Sequence, residues 1–163
     1  MTRVIMHGCN GHMGRVITDL VSKDDDIEIV AGIDPFDDGH NTYPVFASIK
    51  DCDVKADAVI DFASAKAEDA LLDYCVEKQI PVVLCTTGLS EKQLAKVKEA
   101  GEKVAVLRSA NMSLGVNLLM KLLKDAAKVL APAGFDIEIV EKHHNQKVDA
   151  PSGTAIALAD SIN

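Results

Sequence analysis

The densest group of chemistry-bearing side chains is Lys142-His143-His144-Asn145-Gln146-Lys147, with two lysines, two histidines and no acid. The chain around it is acidic, with 17 Lys and Arg against 25 Asp and Glu and a formal net charge of −8. A cationic cluster in such a field marks a place for an anionic ligand. Imidazole can give a proton near neutral pH, and a lysine can do so when its pKa is lowered. Shortly after it, Pro151-Ser152-Gly153-Thr154 precedes an apolar helix. Ser152 is a good N-cap, and Gly153 leaves the first-turn N–H groups accessible, so an anion-binding helix start lies beside the cluster. Two His and a Lys there suit a substrate with carboxylates. A metal site is not expected: strand alternation points adjacent histidines to opposite faces, and H-x-x-x-H spacing is absent. The plain alternative is a solvated loop.

A second motif opens the chain. Gly8-Cys9-Asn10-Gly11-His12-Met13-Gly14 reads G-x-x-G-x-x-G between an apolar run and an amphipathic stretch. Glycine allows a tight turn and lets backbone N–H groups approach a pyrophosphate, and the helix start adds unpaired donors and partial positive charge. Asp34 ends the next apolar run, where a carboxylate accepts hydrogen bonds from an adenosine ribose. Residue 35 is Pro rather than Arg, and Asp37 and Asp38 follow. Two unit charges 4 Å apart interact by roughly 1 kcal/mol in water and by more near a protein surface. NADH is therefore expected to bind in preference to NADPH, with NADPH possible.

These residues need elements to hold them. Apolar runs at 3–7, 27–34, 57–62, 81–85 and 103–109 read as strands. Helical stretches follow at 13–21, 64–79, 90–100 and 114–130. Ser90 and Gln93 have capping-box spacing, Gly101 is expected to end its helix, and Pro132 to Gly134 stop the long one. The stretch 35–52 has no clear period. This β-α-β-α order predicts an α/β fold, a Rossmann-type doubly wound parallel sheet with right-handed crossovers. After Gly134 the pattern becomes strand, polar loop, helix, the start of a truncated α+β substrate domain. The expected division is 1–132 for dinucleotide binding and 133–163 for the beginning of the substrate-binding and catalytic domain.

Composition narrows the function. The 163 residues are 48% hydrophobic and 26% charged, ordinary for a globular chain rather than a disordered one. No run approaches the roughly 20 apolar residues of a membrane span, and the N-terminus lacks a signal-peptide pattern, so a cytoplasmic protein without membrane partners is expected. The acidic balance, 4% aromatics and absence of Trp argue against nucleic acid. Cys9, Cys52, Cys75 and Cys85 form no C-x-x-C pair and read as free thiols, with Cys75 and Cys85 in the core.

The segments GCNGHMG (8–14), CTTG (85–88), SANMSLGVN (109–117) and above all EKHHNQKVDAPSGTA (141–155) resemble the 4-hydroxy-tetrahydrodipicolinate reductase family, also called dihydrodipicolinate reductase. The resemblance runs the length of the chain, and its H-H-x-x-K-x-D-x-P-S-G-T string is highly specific. It implies NAD(P)H-dependent reduction of 4-hydroxy-tetrahydrodipicolinate to tetrahydrodipicolinate in diaminopimelate and lysine biosynthesis. The backbone from Gly8 through Cys9, Asn10, Gly11 and His12 to Met13, with Asp34, would hold the dinucleotide. Cys85, Thr86 and Thr87, with Ser109, Ala110, Asn111 and Met112, would flank the nicotinamide. His143 and Lys147 match the catalytic positions, either of them the proton donor. His144, Gly153 and Thr154 match substrate-binding positions, with Ser152 at the head of that helix. Cys85 stands where Gly is common, and Met112 where an aromatic is common. Members of the family are longer and homotetrameric. Most of the substrate domain is expected to be missing here, and with it the tetramer sheet, so little turnover is expected from this chain alone. The rival expectations are another Rossmann dehydrogenase of a small amino acid, which would lack the His–Lys string, and a non-catalytic dinucleotide-binding module.

Overall fold

The apolar runs become strands because each supplies β-branched and aliphatic side chains to both faces of a sheet. The computed structural model describes residues 1–109, 111–145 and 150–163. Its strands are β1 (Thr2–His7), β2 (Ile27–Ile33), β3 (Val45–Phe46), β4 (Ala58–Asp61), β5 (Val82–Leu84) and β6 (Val106–Arg108). They form one sheet in the order β3-β2-β1-β4-β5-β6, and every neighbouring pair is parallel. The short β3 lies in the stretch whose sequence shows no period. It pairs only Val45 and Phe46 with Gly32 and Ile33, too few residues for an alternation to show.

The crossovers carry α1 (His12–Val21), α2 (Glu68–Lys78) and α3 (Glu91–Gly101). Helix α3 begins with the expected capping box: the Gln93 N–H donates to Ser90 Oγ, and the Gln93 side-chain oxygen accepts the Ser90 N–H. Two expectations shift. Helix α2 starts at Glu68 rather than residue 64, because residues 64–67 form a turn closed by the Ala67 N–H on Ser64 O. Gly101 is the last residue of α3 and not a left-handed cap; Glu102 follows in ordinary right-handed geometry. Buried apolar clusters cover both faces of the sheet. One is centred on Ile5, Val59, Leu71, Leu72 and Leu84, the other on Val4, Met6, Cys9 and Ile29. All four cysteines are free thiols, as expected, and Cys9 and Cys52 are buried along with the expected Cys75 and Cys85.

The chain divides into two compact units, Met1–Ser109 and Ala110–Asn163. The expected boundary at 132 therefore moves. Helix α4 (Leu114–Leu130) packs against α5 (Gly153–Ile162) and belongs to the second unit. The strand expected after Gly134 does not form among the described residues; 135–144 have no regular structure. A strand needs a neighbour to take its N–H and C=O groups, and no other strand lies among the second unit's described residues. Gly134, at φ +88°, ends the α4 region as read. No helix among the described residues is long and apolar enough to cross a membrane.

Candidate dinucleotide site and cationic segment

The strand order reverses at β1, with β2 on one side and β4 on the other, so the loops after β1 and β4 part and leave a crevice at the strands' C-terminal ends. The glycine loop lies there. Gly8 adopts φ +81°, and a Cβ on it would sit 2.7 Å from Phe62 O. A Cβ on Gly14 would meet Gly8 O at 2.2 Å. These two positions exclude any side chain. Gly11 is the N-cap of α1 and offers no side-chain cap, so the first-turn N–H groups stay outside the helix ladder and can face an anion. The Cys9 side chain is buried against β2, where a Cβ on Gly32 would touch its Sγ at 2.6 Å. Burial first, then the Asp34 charge, pushes its thiol up to about 11. Cys9 can therefore serve a ligand only through its backbone.

Asp34 is tied to this loop. Its Oδ2 accepts the Asn10 N–H at 3.1 Å and its Oδ1 accepts the Phe36 N–H at 3.0 Å. Each carboxylate oxygen keeps a further lone pair for a hydroxyl donor. Asn10 also donates from Nδ2 to Phe36 O and accepts Asn41 Nδ2 at 2.7 Å. A cavity of about 570 Å³ is lined by His7, Gly8, Gly11, Asp34, Phe36 and Lys66, among others. Arg15, which the sequence reading passed over, donates from Nε to Asn10 O at 3.0 Å and pairs with Asp38 at 2.7 Å. The His40 N–H, then the Arg15 guanidinium, hold the Asp38 carboxyl below its usual range. An exposed ion pair of this kind adds little to stability.

The Cys85–Thr87 loop is fixed from below. The Cys85 N–H donates to Asp61 O at 3.0 Å, and the Thr86 N–H to Asp61 Oδ2 at 3.3 Å. Cys85 and Thr86 are buried, while Thr87 is exposed. Burial and the Asp61 charge raise the Cys85 thiol to about 11. Ser109 closes the first unit, donating its N–H to Leu84 O at 3.0 Å. The sequence reading also missed His7, Asp61 and Glu68, which are all buried. The available signal was a polar residue at the end of each of two apolar runs.

In the second unit, Asn111 donates from Nδ2 to Thr154 Oγ1 at 3.2 Å. This joins a residue expected beside the nicotinamide to one expected on substrate. Met112 is half exposed. Ser152 caps α5 as read, its Oγ accepting the Ala155 N–H at 3.1 Å. The N–H groups of Gly153 and Thr154 lie ahead of that cap, outside the ladder. Glu141 organises this end. Its Oε1 accepts the Ser152 N–H at 2.9 Å, and its Oε2 lies 2.7 Å from His143 Nε2. The His143 hydrogen bond, then those from Ser152, lower the Glu141 carboxyl to about 2. His144 is exposed to solvent. Ala110 and Lys147 lie outside the described residues. Among the described residues, no group of three or more His, Cys, Asp and Glu could hold a metal ion.

Residues 2–112 match the family model for the dihydrodipicolinate reductase N-terminus, and residues 115–163 match that for its C-terminus. The chain belongs to the dihydrodipicolinate reductase family. It is 52% identical over 162 residues to the 4-hydroxy-tetrahydrodipicolinate reductase of Clostridium novyi (strain NT), covering 99% of this chain and 64% of that one. It is 51% identical over 167 residues to that of Caldanaerobacter subterraneus subsp. tengcongensis, covering 100% and 64%. Among solved structures, it matches a dipicolinate-bound dihydrodipicolinate reductase from Paenisporosarcina sp. TG-14. The TM-score is 0.74 at 29% identity, over 99% of this chain and 65% of that one. The chain thus spans about 64% of the length of the curated relatives it matches. In dihydrodipicolinate reductase terms, the two family segments meet between 112 and 115, close to the junction of the two compact units at Ser109 and Ala110.

Proposed function

We propose that this chain carries the cofactor site and the proton-donating segment of a 4-hydroxy-tetrahydrodipicolinate reductase. The reaction is NAD(P)H-dependent reduction of 4-hydroxy-tetrahydrodipicolinate to tetrahydrodipicolinate, on the route to diaminopimelate and lysine. The observation that carries the reading is the glycine loop, closed by Gly8 and Gly14 and tied to Asp34, in one chain with the Glu141–His143–Ser152 cluster. The loop fits a dinucleotide. Its open helix start faces a pyrophosphate, and Asp34 has lone pairs left for a ribose. Bound reduced nicotinamide supplies a hydride.

The remaining work falls to this chain's side chains. Cys85, Thr86 and Thr87, with Ser109, Ala110, Asn111 and Met112, flank the nicotinamide. His144, Ser152, Gly153 and Thr154 hold the substrate carboxylates; the N–H groups of Gly153 and Thr154 suit that task by position. His143 or Lys147 gives the proton that completes reduction of the cyclic imine-like substrate once water is lost. Asp34, Asp37 and Asp38 support a preference for NADH, because a 2′-phosphate would meet three carboxylates with Arg15 already paired to Asp38. The protein acts on a small dicarboxylate, in the cytoplasm, as part of a homotetramer when the whole family sequence is present.

NADH is titrated against the chain by its own fluorescence, with and without pyridine-2,6-dicarboxylate as a planar mimic. Binding that the mimic tightens supports both anion sites. No NADH binding defeats the reading, and equal or tighter NADPH binding defeats the preference. A second reading, dinucleotide binding without turnover, is favoured by the irregular 135–144 segment leading into His143. It predicts NADH binding that the mimic leaves unchanged.

A further inference from the structure

Three strand ends meet at one buried carboxylate below the cavity. Asp61, the last residue of β4, is 0% exposed. Its Oδ1 lies 2.7 Å from His7 Nδ1, at the end of β1, and accepts the Ala63 N–H at 3.2 Å. Its Oδ2 accepts the Thr86 N–H at 3.3 Å. Two backbone amides that can only donate meet Asp61 as acceptor, and the His7 imidazole is its third partner, through Nδ1.

A second buried carboxyl lies nearby and is treated in the opposite way. Glu68, on the first turn of α2, is 0% exposed, and neither of its oxygens has a hydrogen-bond partner. Burial, with the Asp61 charge, pushes it up to about 7. Donors set the two carboxyls apart: Asp61 has three partners and Glu68 has none, so burial of Glu68 favours its neutral form. Burying a charge is costly unless it is paired and hydrogen-bonded. At Asp61 the three partners come from three segments that border the dinucleotide crevice. Gly8 directly follows His7, Ala63 lies between β4 and α2, and Thr86 lies between β5 and α3.

We propose that Asp61 is a positioning residue of the dinucleotide site, holding the pyrophosphate loop through His7 and the nicotinamide-side loop through Thr86 in one register. It acts through those loops and touches no cofactor itself. The inference rests on the dinucleotide reading above. Its signature is unequal: the glycine loop keeps its own steric supports at Gly8 and Gly14, whereas the nicotinamide-side loop keeps the Cys85 N–H bond to Asp61 O and its buried Thr86 hydroxyl has no hydrogen-bond partner. Weakening Asp61 should therefore harm the nicotinamide half of the cofactor more than the adenosine half.

The test titrates NADH and ADP-ribose, which lacks the nicotinamide, against the 163-residue chain and its Asp61→Asn variant by calorimetry. Asparagine keeps the shape but turns an amide N–H toward one of the three partners. NADH affinity is expected to fall about 10-fold, the cost of one unmade hydrogen bond in a buried site, and ADP-ribose affinity by about 3-fold or less. Should Asp61→Asn fail to fold, His7→Leu and His7→Asn carry the same comparison. Leucine removes that partner and should lower the NADH to ADP-ribose affinity ratio. Asparagine supplies an N–H and should restore the ratio. Equal losses of both ligands, or no loss of either, overturn the inference. If the unsubstituted chain binds neither ligand, the dinucleotide reading itself fails.

Discussion

The two units of this chain differ in how their parts are held. In the first, Ile5, Met6, Val59, Leu71 and Leu84 are buried, and parallel ladders join all six strands. In the second, the described buried residues are only Ala127, Ser152 and Ala155. Leu114 is 85% exposed and Val140 82%. The first unit builds its site from residues far apart in sequence, such as Asn10 with Asp34 and Asp61 with Thr86. The second builds its cluster from Glu141, His143, Ser152 and Thr154 with one asparagine, by a few hydrogen bonds. A long-range site inherits the rigidity of a sheet, whereas a loop cluster holds its geometry only as well as its few bonds do.

The largest expected effect is at Gly14. Gly14→Ala places a methyl 2.2 Å from Gly8 O. Backbone must move, so NADH affinity should drop by about 100-fold or more, as calorimetry would show. Retained affinity would mean that the loop is softer than the sheet beneath it and would break the contrast.

Next is the pH dependence of the first unit. Glu68 is raised from 4.5 to about 7. Its folded form favours the proton, so its stabilisation is complete below pH 4.5 and is lost as pH rises through 7. The loss is on the order of 3 kcal/mol. Urea midpoints for Glu68→Gln should be flatter between pH 5 and 8 than those of the parent; an unchanged slope defeats the assignment.

Glu141→Gln sharpens the comparison from the other side. It removes the charge that gathers His143 and Ser152, so the response of NADH binding to pyridine-2,6-dicarboxylate should fall several-fold while NADH affinity alone is unchanged. Because Glu141 is lowered to about 2, the cluster should persist from neutral pH down past 4.5 and fail as pH approaches 2, which histidine NMR signals would follow. The smallest effect is Ser90→Ala. It deletes one half of the α3 capping box and should cost about 1 kcal/mol in a urea melt, with no change in ligand binding.

Local pattern decided much of this molecule. Helices α1, α3 and α4 lie where apolar spacing put them, and Ser90 and Ser152 cap the helices they precede, because these signals act over three or four residues. The glycine spacing identified a turn at Gly8 and a close backbone approach at Gly14 that only glycine allows, and the motif around His143 led to the right family. Tertiary structure alone decided the rest. Whether residues 135–140 become a strand depends on a neighbour that their own alternation cannot supply. That the buried Glu68 carboxyl is pushed up depends on its burial without donors, which Ala63 and Thr86 bring to Asp61 instead. Composition and period describe single segments, but hydrogen-bond partners and burial are properties of segments brought together, and those set where charge can stay.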